Sequence, residues 1–157
     1  MKYQIISLVL LLTTVLLSEE LQVKSKKFTA DEKTGISMFE GDVNIKKGMD
    51  ELNASKISIF TDNTHKPIKY IANGNVSFYI NTNTGAIYSG KAQKVIYLPK
   101  EKEYHFYENV TLSQLNEKKV IIGDEVVLKI VDGKAYAKGQ KDKPVVMIFD
   151  ISEKKEK

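Results

Sequence analysis

Beyond residue 20, apolar side chains recur at every second position in a series of short runs. Val43 and Ile45, then Val76, Phe78 and Ile80, then Val110 and Leu112 alternate with Asn44, Lys46, Ser77, Thr111 and Ser113. A period of two places the first set on one face of a strand and the second on the other. Each run follows a version of one phrase: Gly41-Asp42-Val43, Gly74-Asn75-Val76 and a decayed Glu108-Asn109-Val110, with valines 33 and 34 residues apart. A turn-forming pair that hands over to a period-2 segment predicts a strand start, and its recurrence predicts stacked β units. The third phrase lacks the glycine, so its regularity is expected to break at Glu108.

A second element follows each phrase: residues 53–60 (NASKISIF), 90–98 (GKAQKVIYL) and 122–130 (IGDEVVLKI). Ile57 and Ile59, Val95 and Tyr97, and Val126, Leu128 and Ile130 form one-face sets, although Ile96 and Leu98 compete with Val95 and Tyr97 for the inward face. Leu21 and Val23 predict a half-buried first strand. Phe28 to Met38 brackets a hairpin turn over 31–35, where Gly35 supplies the left-handed residue. Further turns are expected at 61–63, 81–85, 99–101, 116–118, 132–133 and 139–144, and a nearly continuously apolar last strand at 145–151. No helical stripe follows residue 18. Short strands with Gly, Asn and Asp punctuation predict an all-β sandwich, jelly roll or solenoid.

Lys2, an uncharged and mostly apolar stretch from Ile5 to Leu17 and the acidic Glu19 and Glu20 read as a signal peptide over 1–18, because about 13 such residues fall short of the ~20 that span a bilayer. Ser18 is the best small residue for cleavage. Residues 19–151 are then expected to form one domain with a single core, and 152–157 a disordered charged tail. There is no cysteine, which excludes disulfides, thiol catalysis, cysteine-zinc sites and lipid attachment through cysteine. Every basic residue is lysine: 23 remain after residue 18, against 20 acidic residues. Arginine forks carry much of the direct reading of DNA bases, so this chain is a poor match for nucleic acid.

Catalytic patterns are absent. The sequence has no Gly-x-Ser-x-Gly, no His-Glu-x-x-His and no glycine-rich phosphate loop. His65 and His105 stand 40 residues apart without ligand-type neighbours at metal spacing, and the pairs Asp31-Glu32 and Asp124-Glu125 fall where carboxylates are ordinarily solvated. No cofactor, metal or enzymatic activity is expected. Asn53, Asn75 and Asn109 each begin an Asn-x-Ser/Thr triplet, and Asn53 has Glu51 two residues ahead, which makes it the candidate for glycosylation. The aromatic set Phe78, Tyr79, Tyr88, Tyr97, Tyr104, Phe106 and Tyr107 is compatible with a closed core or with a groove for lipid.

Taken in order, FEGDV, NASKISIF, IANGNVSF, GKAQKVIYL, ENVTLSQ, IIGDEV and DGKAYAKG resemble the signature of the LptA/OstA family of periplasmic lipopolysaccharide-transport proteins, over roughly residues 21–150. The resemblance implies a twisted, partly open antiparallel β jelly roll built from repeated hairpins, with an interior groove for the acyl chains of lipopolysaccharide or lipooligosaccharide. It also implies a periplasmic location and end-to-end β pairing into a bridge between the membranes. The implied partners are the lipid A moiety, further copies of the chain, an LptC-like inner-membrane component and an LptD-like outer-membrane component.

Strand alternation and the implied fold together assign Leu21, Val23, Val43, Ile45, Ile57, Ile59, Val76, Phe78, Val95, Tyr97, Val110 and Leu112 to the groove. Lys24, Lys26 and Lys27 are candidates for a phosphate-orienting rim. Leu21, Val23, Val145, Val146 and Met147 are expected at the assembly edges. Two rival readings stay open: a membrane-anchored LptC-like component that keeps its N-terminal segment, and a β scaffold or adhesion module whose apolar faces close into a core without lipid.

Overall fold

Alternation alone would make flat strands, yet both faces of this sheet cannot be solvated while one is so apolar. The computed structural model describes residues 20–152 and resolves the conflict by bending a single sheet onto itself. The expected signal peptide and the residues 153–157 of the charged tail lie outside the described residues. Ten strands form one antiparallel sheet: β1 (Leu21–Lys24), β2 (Lys27–Asp31), β3 (Ile36–Lys47), β4 (Asp50–Thr61), β5 (Pro67–Asn81), β6 (Ile87–Leu98), β7 (Glu103–Gln114), β8 (Lys119–Lys129), β9 (Lys134–Lys138) and β10 (Val146–Phe149). Consecutive long strands are neighbours, in the order β1-β3-β4-β5-β6-β7-β8-β10. β2 continues the β1 edge alongside β3, and β9 shares the opposite edge with β10 alongside β8.

The Gly-Asx phrases do not start strands. They lie inside β3, β5 and β7, where they make β-bulges: residues 41 and 42 oppose Ser55, 74 and 75 oppose Gln93, and 108 and 109 oppose Asp124. Two residues against one force local twist and bending. The conformation explains the composition, because both members of each pair have positive φ: Gly41 82° and Asp42 47°, Gly74 83° and Asn75 47°. Glycine adopts that region freely and Asn or Asp more readily than other side chains. Turns and bulges thus draw on the same residues, and pairing on both flanks decides which one forms.

Glu108 and Asn109 take the same conformation, at φ 64° and 52°, so the regularity expected to break there persists. Ladder pairing from Tyr107↔Glu125 to Val110↔Gly123 holds the segment on both sides. The facing side chains also patch the bulges. Ser55 Oγ donates to the Gly74 carbonyl at 3.2 Å, and Gln93 Oε1 accepts the Asn75 N–H at 3.3 Å.

Because the bulges align across the sheet, they form one crease. The first leaf carries β1, residues 43–47, 50–54, 76–81, 87–92, 110–114, 119–123 and β10; the second carries β2, residues 36–40, 56–61, 67–73, 94–98, 103–107, 125–129 and β9. Their apolar faces turn toward each other, and Phe78 of the first leaf meets Phe106 of the second at 4.5 Å between ring centroids. Opposite each bulge, the inward pattern slips by one: Ala54 to Ile57 on β4, Ala92 to Val95 on β6. Val95 and Tyr97 therefore face inward, and Ile96 outward. A hairpin turn at Gly48 joins β3 to β4, which the alternation had not indicated.

Replacing Glu108 by Gly removes the left-handed cost of ~1–2 kcal/mol and adds unfolded-chain entropy, so the folded state should gain about 0.5–1 kcal/mol. Gly74→Ala should lose about 2 kcal/mol, because its new Cβ keeps φ at 83° and meets Ser55 Oγ at 2.7 Å. Urea unfolding midpoints of the two variants, moving in opposite directions, check the crease.

Candidate functional site

Bending leaves a space between the leaves wherever side chains do not fill it. At the β7–β8 end they do: Phe106, Val110, Leu112, Val126 and Leu128 are essentially inaccessible. Toward β1 the leaves part around a cavity of about 260 Å³, lined by Leu21, Ile45, Leu52, Phe78 and Ile80 from the first leaf and by Ile57, Tyr70, Ala72, Val95, Tyr97 and Tyr104 from the second. A second space of about 490 Å³ lies along the seam between the leaf tips. The two share Lys47, Asp50, Ile80, Tyr97 and Tyr104 as walls. They form one cleft, apolar within and polar at its mouth. The inner cavity alone is smaller than the ~300–1,000 Å³ of ordinary ligand pockets, whereas the cleft with its mouth falls within that range.

Gly90 shapes this interior by lacking a side chain. A Cβ there would stand 1.9 Å from the Thr111 carbonyl oxygen and 2.8 Å from Phe78 Cζ, so the Phe78 ring occupies the place of a β6 side chain. Phe78 can then lean across to Phe106, and that pair seals the cavity toward β7.

The second leaf lines the cleft with an aromatic row. Tyr70, Tyr97 and Tyr104 occupy paired positions on β5, β6 and β7, with ring centroids 5.9 Å and 4.3 Å apart. Burial raises all three hydroxyls above their ordinary value. For Tyr97 the Asp50 carboxylate adds to this, and for Tyr104 the neighbouring Tyr97, Asp50 and Tyr70 add to it. Asp50 stands on the opposite leaf, where its Oδ1 accepts the Asn81 N–H at 2.7 Å.

The structure places Val43, Ile45, Ile57, Ile59, Val76, Phe78, Val95, Tyr97, Val110 and Leu112 on the inward faces, together with Leu21 and Val23 at the β1 edge. They divide by position. Leu21, Ile45, Ile57, Phe78, Val95 and Tyr97 line the cavity, whereas Val43, Val76, Val110 and Leu112 are packed solid near the crease or the β7–β8 end. Lys24, Lys26 and Lys27 lie away from the mouth. Lys24 pairs with outward-facing Asn44, Lys26 Nζ is 2.6 Å from Asp42 at the crease, and Lys27 faces Glu40. The lysines in the cleft walls are Lys47 and Lys102.

Alternation did not single out Tyr70, Asp50, Lys47 or Leu52. Tyr104 carried a readable signal, since Tyr104, Phe106, Val110 and Leu112 keep one parity across the bulge. His65 lies in a turn, and His105 lies beside Glu103 at 3.2 Å. Among the described residues no cluster of His, Cys, Asp or Glu could hold a metal ion. Asn53 belongs to an outward polar row, where its side-chain Oδ1 accepts from Asn44 Nδ2 at 2.8 Å.

Residues 22–134 match the family described as LptA/(LptD N-terminal domain) LPS transport protein. No curated protein sequence matches the chain. Among solved structures, the fold is similar to the crystal structure of LptH, the LptA homologous periplasmic component of the lipopolysaccharide transport device from Pseudomonas aeruginosa. The TM-score is 0.73 over 84% of this chain and 96% of that one, at 13% identity, a likeness of fold. The partly open antiparallel jelly roll expected from the sequence agrees with it.

The raised tyrosines make a stability statement. In the unfolded chain each hydroxyl titrates near 10, so above about pH 10 the unfolded state releases protons that the folded state holds, and stability falls as pH rises. Below that pH the contribution is fully present. Tyr104→Phe removes the most strongly raised group and should flatten the decline in melting temperature between about pH 10 and 12, as measured by circular dichroism.

Proposed function

Since the chain belongs to the LptA and LptD N-terminal-domain family of lipopolysaccharide transport proteins, we propose that it is a periplasmic carrier that holds lipopolysaccharide by its acyl chains in the cleft between the leaves. The observation that carries this reading is the cleft itself, apolar between the leaves and open along the seam. Each methylene removed from water contributes ~0.8 kcal/mol, so one chain of about fourteen carbons is worth ~10 kcal/mol, against ~1 kcal/mol per lysine near an anionic surface. Holding therefore falls to the apolar walls. Orientation of phosphates falls to Lys47 and Lys102 at the mouth rather than to Lys24, Lys26 and Lys27. Such a carrier moves its cargo without making or breaking covalent bonds and needs no catalytic group.

Assembly follows from the edges. An eight-strand antiparallel path leaves its first and last strands running in opposite directions. Copies stacked in one orientation thus bring β10 of one against β1 of the next as an antiparallel pair, and β9 against β2, so each leaf continues into the same leaf. Unpaired edges that expose apolar residues invite such pairing. Leu21 and Val146 are each 43% exposed, and Met147, Ile148 and Phe149 each 51%. An end-to-end bridge built this way carries the cleft along its whole length toward inner- and outer-membrane components of matching fold.

Photo-crosslinkers at Leu52 and Tyr97 should trap added lipopolysaccharide, and those at outward-facing Asn53 and Ile96 should not. The reverse pattern would contradict the interior site, and saturable binding to none would favour a closed scaffold. For assembly, proline is introduced at Val146 and separately at Met147, whose N–H groups point to opposite sides of β10. The variant whose lost N–H faced outward should lower the oligomer mass in light scattering while keeping its melting temperature. Unchanged mass in both would exclude β10 as a docking edge.

A further inference from the structure

One row of the cleft differs chemically from those around it. Next to it toward the crease, Ile57, Ala72, Val95 and Phe106 present only hydrocarbon, whereas Tyr70, Tyr97 and Tyr104 place three phenols side by side on adjacent strands. Ring contacts join them, with Tyr97 stacked on Tyr104 and Tyr70 tilted against Tyr97. A buried tyrosine hydroxyl usually finds a partner. None of these three bonds to another described residue, and none is sealed off as a buried, unpaired atom, so the hydroxyls open to the cleft. With their ionisation suppressed by burial, they remain neutral donors.

The opposite wall restricts what they can bind. The charge of Asp50 reaches both Tyr97 and Tyr104. A phosphate at this depth would meet that carboxylate in a partly desolvated cleft, where like charges repel more strongly than in water. A neutral carbonyl or hydroxyl oxygen accepts from a phenol without that penalty. Phosphates find Lys47 and Lys102 farther out. We propose that Tyr70, Tyr97 and Tyr104 form a donor collar for the neutral oxygens that join acyl chains to a headgroup, and thereby set the depth at which an acyl lipid seats. The collar selects ester- or amide-linked, hydroxyl-bearing lipids over plain alkyl amphiphiles. It rests on the lipid-carrier reading above and adds the chemical class that the cleft prefers.

A matched pair of single-chain probes tests it. 1-Myristoyl lysophosphatidic acid carries a phosphate, an ester carbonyl and a hydroxyl; tetradecyl phosphate carries the phosphate and a comparable chain alone. Affinities are read by displacement of a fluorescent fatty acid from the unmodified protein, from Tyr97→Phe, and from the Tyr97→Phe/Tyr104→Phe double variant, each checked for an unchanged melting transition near neutral pH. The double variant should bind the lysophosphatidate about tenfold more weakly, and tetradecyl phosphate within about twofold of the unmodified protein, with Tyr97→Phe intermediate. Equal losses for both probes would make the row a packing surface, and no loss for either would make it an ordinary wall; each overturns the collar. If the unmodified protein binds neither probe and no lipopolysaccharide, the carrier reading fails and the collar falls with it.

Discussion

The fold depends on a line of bulges in which two residues of one strand are matched against one of the next. An antiparallel sheet of eight registers cannot bury one face by itself. A second layer must cover it, or the sheet must bend far enough to cover itself. Here bending is concentrated where Gly41-Asp42, Gly74-Asn75 and Glu108-Asn109 take left-handed backbone conformations in alternate strands. Every inward row on one leaf has its partner on the other because those bends align. The edges obey the same line: β1 gives way to β2 beside Gly41, where the Lys26 N–H reaches the Glu40 and Gly41 carbonyls, and β10 and β9 meet β8 on either side of Asp124, the residue that faces the β7 bulge.

Much of this was readable from residue order, and the failures have a common cause. Alternation identified Val43 and Ile45, Phe78 and Ile80, and Leu112 as one face, since within a leaf a strand keeps its period of two. It misplaced the Gly-Asx pairs because positive φ serves tight turns and bulges alike, and the choice belongs to the flanking ladders, which are distant in sequence. The single-residue slip opposite each bulge, from Ala54 to Ile57 and from Ala92 to Val95, is the reason that Ile96 competed with Val95 for the inward face. Asp50 and Lys47 were invisible as wall residues. Charged side chains at strand ends normally face water, and only the approach of the second leaf turns them over an interior.

Chemistry in the cleft is graded rather than uniform. Hydrocarbon near the crease gives way to phenol hydroxyls, then to Asp50, and finally to lysines and the Asn81 to Thr84 turn at the mouth. That order mirrors an amphiphile running from tail to headgroup. It arises from strand geometry, because successive inward rows lie two residues apart along each strand. A ligand of the proposed kind would therefore have its position along the cleft set by rows and not by isolated side chains.

The contact between Phe78 and Phe106, made possible by the bare backbone at Gly90, divides the interior of each copy into an open part and a filled one. Eight strands at ~4.8 Å spacing make a copy ~38 Å tall. The proposed stack of copies would then be no smooth channel but a row of wells, one every ~38 Å, separated by aromatic sills. Under the proposed function, cargo moving along such a row would keep its headgroup in the continuous outer seam while its tails left one well and entered the next. The height of each sill is set by two rings and the absence of one methyl group.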